Sequence, residues 1–319
     1  MDLTFAVVPA LCSFAAALII GRFMIPLLHK LKFGQYIREE GPKSHLKKQG
    51  TPTMGGIIWM LALLLVSLIF AGRVKEGWIV IIMTFAFGLI GLLDDMLKEV
   101  FKHNEGLKSW QKFGLQFIVS VLFAVYLGTH GYGTSVTFRI IKKTVDFGFW
   151  YYVLVVFAMM AINNGTNFTD GLDGLSASVT GIIAFFLTIV CALYGSSLEI
   201  VTSAFFGGLL GYLCYNAYPA KVFMGDTGSL ALGGFIGSII FILDMPFMVL
   251  IFGIIYVAEV VSVILQVGYF KLTHGKRLFR MAPIHHHFEQ LGWHETRVVV
   301  IFDIVTALAC LVSLWILFN

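Results

Sequence analysis

Polar side chains able to do chemistry are scarce in this chain, and most of them gather in a few runs. Asp94-Asp95 follows an apolar stretch, with Lys98 four residues after Asp94 and therefore on the same helical face. Adjacent carboxylates repel unless a cation or a proton relieves them, so the pair is either a solvated helix end with an ordinary ion pair or part of a cation site. Residues 163–174 read Asn-Asn-Gly-Thr-Asn-Phe-Thr-Asp-Gly-Leu-Asp-Gly, without Lys or Arg. Such amide and carboxylate density suits a nucleoside, a sugar or a hydrated cation, and it equally suits turn and capping chemistry. Phe223-Met-Gly-Asp226-Thr-Gly-Ser229 opens another apolar segment. Its glycines let a phosphate approach the backbone, the helix start offers free N–H groups, and Asp226 could hold Mg²⁺ against that phosphate; a tight turn capped by Asp is the plainer alternative.

Three successive histidines, His285, His286 and His287, lie between Pro283 and Glu289. They cannot all point one way on a regular backbone, so imidazoles beside phosphate oxygens fit better than one three-histidine zinc site, as does a structural role for at least one ring. Lys43, His45, Lys47 and Lys48 precede Gly50-Thr-Pro-Thr-Met-Gly-Gly56, and Lys112 stands in a second basic loop. These cations either bind phosphate or serve membrane topology.

The elements that position these runs are set by composition. Of 319 residues 58% are hydrophobic and 13% charged, with a mean hydropathy of +0.88. That is more apolar surface than a water-soluble core of this size hides, and it indicates an integral membrane protein. About 20 apolar residues cross the hydrocarbon, and ten segments qualify: 3–28, 54–72, 77–94, 111–128, 148–165, 175–194, 199–215, 229–243, 246–270 and 297–318. Their length and continuity mean helices rather than barrel strands. The fold class expected is therefore an all-α bundle of about ten transmembrane helices, one domain over 1–319. A small external β-hairpin is expected near 131–147, where β-branched residues follow Gly131 and Gly133. No basic segment precedes the first apolar run, which reads as a retained span.

Counting Lys and Arg loop by loop puts sixteen in the odd-numbered loops and five in the even-numbered ones. Cytoplasmic loops carry the excess, so both termini are expected outside and every polar run named above on the cytoplasmic face. The net charge of +4 reports this topology and does not imply nucleic acid. Cys12, Cys191, Cys214 and Cys310 show no ligand spacing and read as packing residues. Glu259 and Gln266 share a face of the ninth span. A carboxylate there should face the bundle interior or a cavity, as a structural partner or a substrate contact.

Taken in order, Gly50–Gly56, Asp94-Asp95-x-x-Lys98, Asn167–Gly174, Phe223–Ser229 and Ala282-Pro-Ile-His-His-His-Phe-Glu289 resemble the motifs of the polyprenyl-phosphate N-acetylhexosamine-1-phosphate transferases over nearly the whole chain. The histidine run in its Ala-Pro-Ile setting is closer to the branch that uses a muramoyl-pentapeptide donor than to the N-acetylglucosamine branch. The resemblance implies transfer of phospho-N-acetylmuramoyl-pentapeptide from UDP-N-acetylmuramoyl-pentapeptide to undecaprenyl phosphate, giving lipid I and UMP, with Mg²⁺ as cofactor, in a homodimer in the bacterial cytoplasmic membrane. Carried over residue by residue, Asp226 is similar to the family's metal ligand, and Asp94 and Asp95 to the pair that handles lipid phosphate and metal. Asn167, Asp170 and Asp173 match the nucleotide loop, and Asn216, Phe223 and Gln266 the same cleft. Lys48, Lys98 and Lys112 match basic positions near phosphates, while His285 and His286 match the histidines nearest the chemistry. Asp94 is the candidate base or nucleophile, with direct attack and a covalent aspartyl intermediate both open. A divalent-cation transporter is the rival class, but transporters place carboxylates near the bilayer midplane on broken helices rather than at helix ends.

Overall fold

The computed structural model describes residues 4–31, 50–74, 76–101 and 106–319. The chain is helical almost throughout, because each long apolar run can satisfy its backbone hydrogen bonds only within itself. The helices are α1 (Thr4–Lys30), α2 (Gly56–Ile69), α3 (Gly77–Phe101), α4 (Ser109–Thr129), α5 (Trp150–Thr169), α6 (Leu175–Leu193), α7 (Glu199–Asn216), α8 (Gly225–Ile242), α9 (Val249–Phe252), α10 (Ile254–Leu272), α11 (Ile284–Gln290) and α12 (Glu295–Phe318). Among the described residues seven of them, α1, α3, α4, α6, α8, α10 and α12, are long and apolar enough to cross a membrane, and α2 is a shorter apolar helix. All ten expected segments are helical, but the ninth is broken at Gly253, which separates α9 from α10.

Helices α6 and α8 are the most enclosed, while α1, α10 and α12 turn most of their surface outward. Helix α8 is the axis of the bundle: α3, α5 and α2 pack on it, α7 packs on α1, α2 and α6, and α12 covers α6. Its glycines make this possible. Gly233 lies against Asn163 and Thr166 of α5, and Gly234 against Met83 and Phe87 of α3. Small residues let backbones approach in the way that drives helix association where lipid removes the hydrophobic driving force. Further along, Phe205 stacks on Phe235 with centroids 3.7 Å apart, and Trp59 meets Phe205 edge-on at 5.3 Å.

The expected hairpin is present as β1 (Ser135–Phe138) and β2 (Lys143–Asp146), antiparallel, with Val136 opposite Val145. It docks on the turn after α8: Phe138 stacks on Phe247 at 4.7 Å, the Thr137 amide donates to Asp244, and Arg139 reaches the Asp244 carbonyl. Helix α8 has 18 residues, so at 1.5 Å per residue its two ends lie about 27 Å apart. The hairpin therefore sits across the hydrocarbon thickness from Asp226 at the start of the same helix.

Candidate active site

Helices α3 and α8 come closest at Gly91, where an added Cβ would fall on the Asp226 carbonyl. Asp94 and Asp95, three and four residues later, share that face of α3 and so lie beside the first turn of α8. The two carboxylates divide the work. Asp95 accepts the Asp226 amide at 3.1 Å, the Thr227 amide at 2.9 Å and the Thr227 hydroxyl at 2.7 Å. It caps α8 from a neighbouring helix, so the amides expected to cradle phosphate are already held by a carboxylate, which adds favourable negative charge at the helix start. Asp94 accepts the Leu107 amide at 2.6 Å on Oδ1 and keeps Oδ2 at 2.8 Å from the Lys98 ammonium.

Asp226 is the hub. Its Oδ2 receives Lys98 at 2.6 Å and Lys112 at 2.9 Å, and its Oδ1 receives the Asn167 amide at 2.7 Å. Lys98 rises from α3, Lys112 from the first turn of α4, and Asn167 from α5, so four helices converge on one carboxylate. Oxygens of Asp94, Asp95 and Asp226 lie within 4.8 Å of one another. Three carboxylates against two ammoniums leave one net negative charge. An all-oxygen donor set of this kind fits a hard divalent cation and lacks the thiolates and imidazoles of a structural zinc site.

The Asn-rich run corrects the expectation of a loop from residue 163. Helix α5 continues to Thr169, with the side chains of Asn163, Asn164, Thr166 and Thr169 returned to carbonyls one turn back at Met159, Met160, Ile162 and Gly165 rather than forming a turn. The Asn residues are therefore a helix face. On it Asn167 also donates to Ser229 at 2.8 Å, a partner within a quoted motif whose role the sequence did not reveal. Similarly Asp94-Asp95 is not at a helix end, since α3 runs on to Phe101.

Asp170 follows directly. Burial, with the charges of Asp226, Asp95 and Asp173 nearby, holds its carboxyl well above the usual carboxylate range. A carboxyl whose value is raised on folding binds its proton more tightly in the folded state. Its destabilising effect is absent below the ordinary carboxylate range and grows as pH rises through that range toward the raised value. Asp170→Asn is accordingly expected to melt higher than the parent in detergent at pH 8, with the difference shrinking as pH falls toward 4. A difference independent of pH would refute this.

Other predicted site residues also tie the scaffold together. Asn216 accepts the Gly174 amide and donates to the Val222 carbonyl, clamping two loops together. Asp173 accepts the Ala220 amide, while its own amide donates to Glu295 at 2.6 Å, a carboxylate that the sequence did not single out. Phe223 is tied by backbone bonds to Pro52 and Gly55, which places the Gly50–Gly56 segment beside the start of α8. Gln266 holds Leu278 and Phe279 by three hydrogen bonds to their backbone. His285 is buried, His286 meets Glu289 at 2.7 Å, and His287 accepts the Arg280 amide, so the three rings do point apart. Lys48 lies outside the described residues.

Comparisons with known proteins show the family. Residues 77–244 match the family described as Glycosyl transferase family 4, and residues 48–58 match the first signature of phospho-N-acetylmuramoyl-pentapeptide-transferase. A protein of that name from Clostridium perfringens strain 13 is 50% identical over 303 residues, covering 94% of this chain and 95% of the relative. Those of Clostridium novyi, 48% identical over 306 residues (95% and 94%), and Clostridium kluyveri, 50% identical over 306 residues (95% and 96%), are similar throughout.

Proposed function

Because the chain belongs to the phospho-N-acetylmuramoyl-pentapeptide-transferase family, we propose that the cluster of Asp94, Asp95 and Asp226 is its catalytic centre, with Mg²⁺ as the cation and the cytoplasmic face of the bacterial membrane as its location. The reaction transfers phospho-N-acetylmuramoyl-pentapeptide from its UDP carrier to undecaprenyl phosphate, giving lipid I and UMP for peptidoglycan synthesis. The convergence of two lysines and the carboxylates of Asp94 and Asp95 on Asp226 carries the site assignment. The excess of Lys and Arg in the odd-numbered loops supports the cytoplasmic face. The family resemblance extends the proposal to a homodimer.

In the reaction an oxygen of the lipid phosphate forms a bond to the phosphorus that bears the sugar, and the bond from that phosphorus to the bridging oxygen breaks, its electron pair leaving with UMP. When bound, the cation supplies charge neutralisation of the pyrophosphate. The chain's own residues hold and orient. Lys98 and Lys112 bring two positive charges to the place where phosphate oxygens gather, and Asn167, fixed between Asp226 and Ser229, keeps the Asp226 carboxylate in one rotamer. Phosphoryl transfer of this kind depends on positioning and electrostatics more than on covalent participation. Asp94 has one oxygen on a backbone amide and the other on Lys98, an arrangement that engages both oxygens and holds the carboxylate still. This favours direct attack by the lipid phosphate over a covalent aspartyl intermediate, and isolation of a phospho-sugar adduct on Asp94 would contradict it.

The test is UMP release by purified protein with undecaprenyl phosphate and either UDP-N-acetylmuramoyl-pentapeptide or UDP-N-acetylglucosamine. Release is expected with the first donor alone, and its abolition by chelator with recovery on added Mg²⁺. Release with the second donor alone would place the chain in the N-acetylglucosamine branch.

A further inference from the structure

Helix α10 buries only a narrow stripe, Ile255, Tyr256, Glu259 and Ser262, and presents Val261, Ile264, Leu265 and Val267 outward. A fully buried carboxylate in the middle of that stripe is costly, because the charge has left water and lipid lies just behind the helix. Tyr256 packs on Gly165 of α5, and its hydroxyl is 2.7 Å from Thr180. One turn further along two parallel helices, Glu259 is level with the end of α5, where the chain turns into Asp170 and Gly171.

What meets Glu259 there is His285. Its Nδ1 is 3.0 Å from Glu259 Oε2, with side-chain exposures of 1% and 0%. The ring lies directly over Gly171, where an added Cβ would fall on the imidazole. Neither oxygen of Glu259 nor either nitrogen of His285 has a well-directed hydrogen bond among the described residues. Four buried polar atoms with one close contact between them would be hard to retain if packing were their only purpose. His286, its ring centroid 4.1 Å away, has a carboxylate of its own in Glu289.

We infer that Glu259 is a positioning residue for the transfer reaction: it holds the His285 imidazole against Gly171 and so fixes the nucleotide loop relative to the histidine helix α11. This rests on the family resemblance, which places His285 with the histidines nearest the chemistry and hence in the catalytic centre. The carboxylate orients Nδ1 toward itself, which leaves Nε2 facing the Asp170-Gly171 turn. The ninth span thereby reaches the site through one imidazole, and the glycine at 171 is required by the ring rather than by its backbone angles. Metal-site histidines show the same logic, since carboxylates that orient an imidazole matter about 10-fold to 100-fold to function when removed.

A double-mutant cycle on the full-length protein in detergent tests it, with kcat and KM for the UDP donor and thermal midpoints measured together. Glu259→Ala is expected to lower kcat about 10-fold to 100-fold with KM changed less than about 3-fold, and Glu259→Asp to recover part of the loss. His285→Ala is expected to lower kcat at least as far, and the double variant no further than His285→Ala, because coupled residues are non-additive. Gly171→Ala, which displaces the ring without substituting either partner, is expected to reproduce the Glu259→Ala kinetics. Independent, multiplicative losses in the double variant would overturn the positioning role while leaving the site intact. Full activity of His285→Ala would overturn the placement of His285 in the catalytic centre and the positioning role with it. If Glu259→Ala fails to fold, Gly171→Ala and Glu259→Gln carry the test, and parental kcat in both would overturn the inference.

Discussion

Asp226→Asn is expected to lower turnover by about 10³-fold or more, since removing one preorganised electrostatic contact to a reacting oxyanion already costs about 10²-fold to 10³-fold and Asp226 serves several groups at once. Asparagine keeps the shape and can still accept from Asn167, but it removes the charge on which Lys98 and Lys112 converge. The two ammoniums would then face Asp94, with Asp95 3.7 Å from Lys98, and the cation would lose a ligand. The fold should survive, because the cap on α8 is provided by Asp95 and not by Asp226. UMP release measured beside a thermal melt in detergent checks both halves. Turnover within about 10-fold of the parent would remove Asp226 from the centre of the site.

Gly91→Ala is expected to damage stability and catalysis together. The new Cβ would overlap the Asp226 carbonyl, a backbone atom at the start of α8 that has no room to retreat. Overpacking of this kind costs about 1–3 kcal/mol. A displacement of about 1 Å at reacting groups costs about 10²-fold in rate, and here the displaced atoms belong to the two helices that carry all three carboxylates. A lowered melting midpoint with kcat reduced about 100-fold is the expected pair of results. Gly268→Ala, where nothing lies within 4 Å of the added carbon, is the neutral control. Equal behaviour of the two variants would mean that the α3–α8 approach does not set the site.

The contrast between those glycines shows what the sequence could convey. The apolar segments were legible as helices because a membrane span has few solutions, although among the described residues seven helices rather than ten are long and apolar enough to cross, and the hairpin at 135–146 followed from local β-propensity after a glycine pair. Asp94, Asp95 and Asp226 were legible as a set because acidic residues are rare against this background. Their roles were not, since Asp95 caps a helix 131 positions away in sequence, and long-range capping leaves no local pattern. The Asn-rich segment read as a loop because Asn and Gly favour turns in isolation. In the bundle the same side chains fold back on their own helix, and small residues on α8 give them space. Gln266 and Asn216 were expected in the cleft, and their ties to loop backbone were not legible. Glu259 stood out for its cost, and only the structure supplied its partner, 26 residues later in the histidine run.

Manganese bound in place of magnesium addresses the central assignment most directly, through electron paramagnetic resonance of the parent and of Asp226→Asn with and without UDP-N-acetylmuramoyl-pentapeptide. The parent is expected to bind one manganese ion per chain and to show hyperfine coupling to donor phosphorus. Asp226→Asn is expected to lose both the ion and UMP release. Tight manganese binding by Asp226→Asn with the phosphorus coupling intact, or lipid I formation by the parent in excess chelator, would contradict a cation site built on Asp94, Asp95 and Asp226.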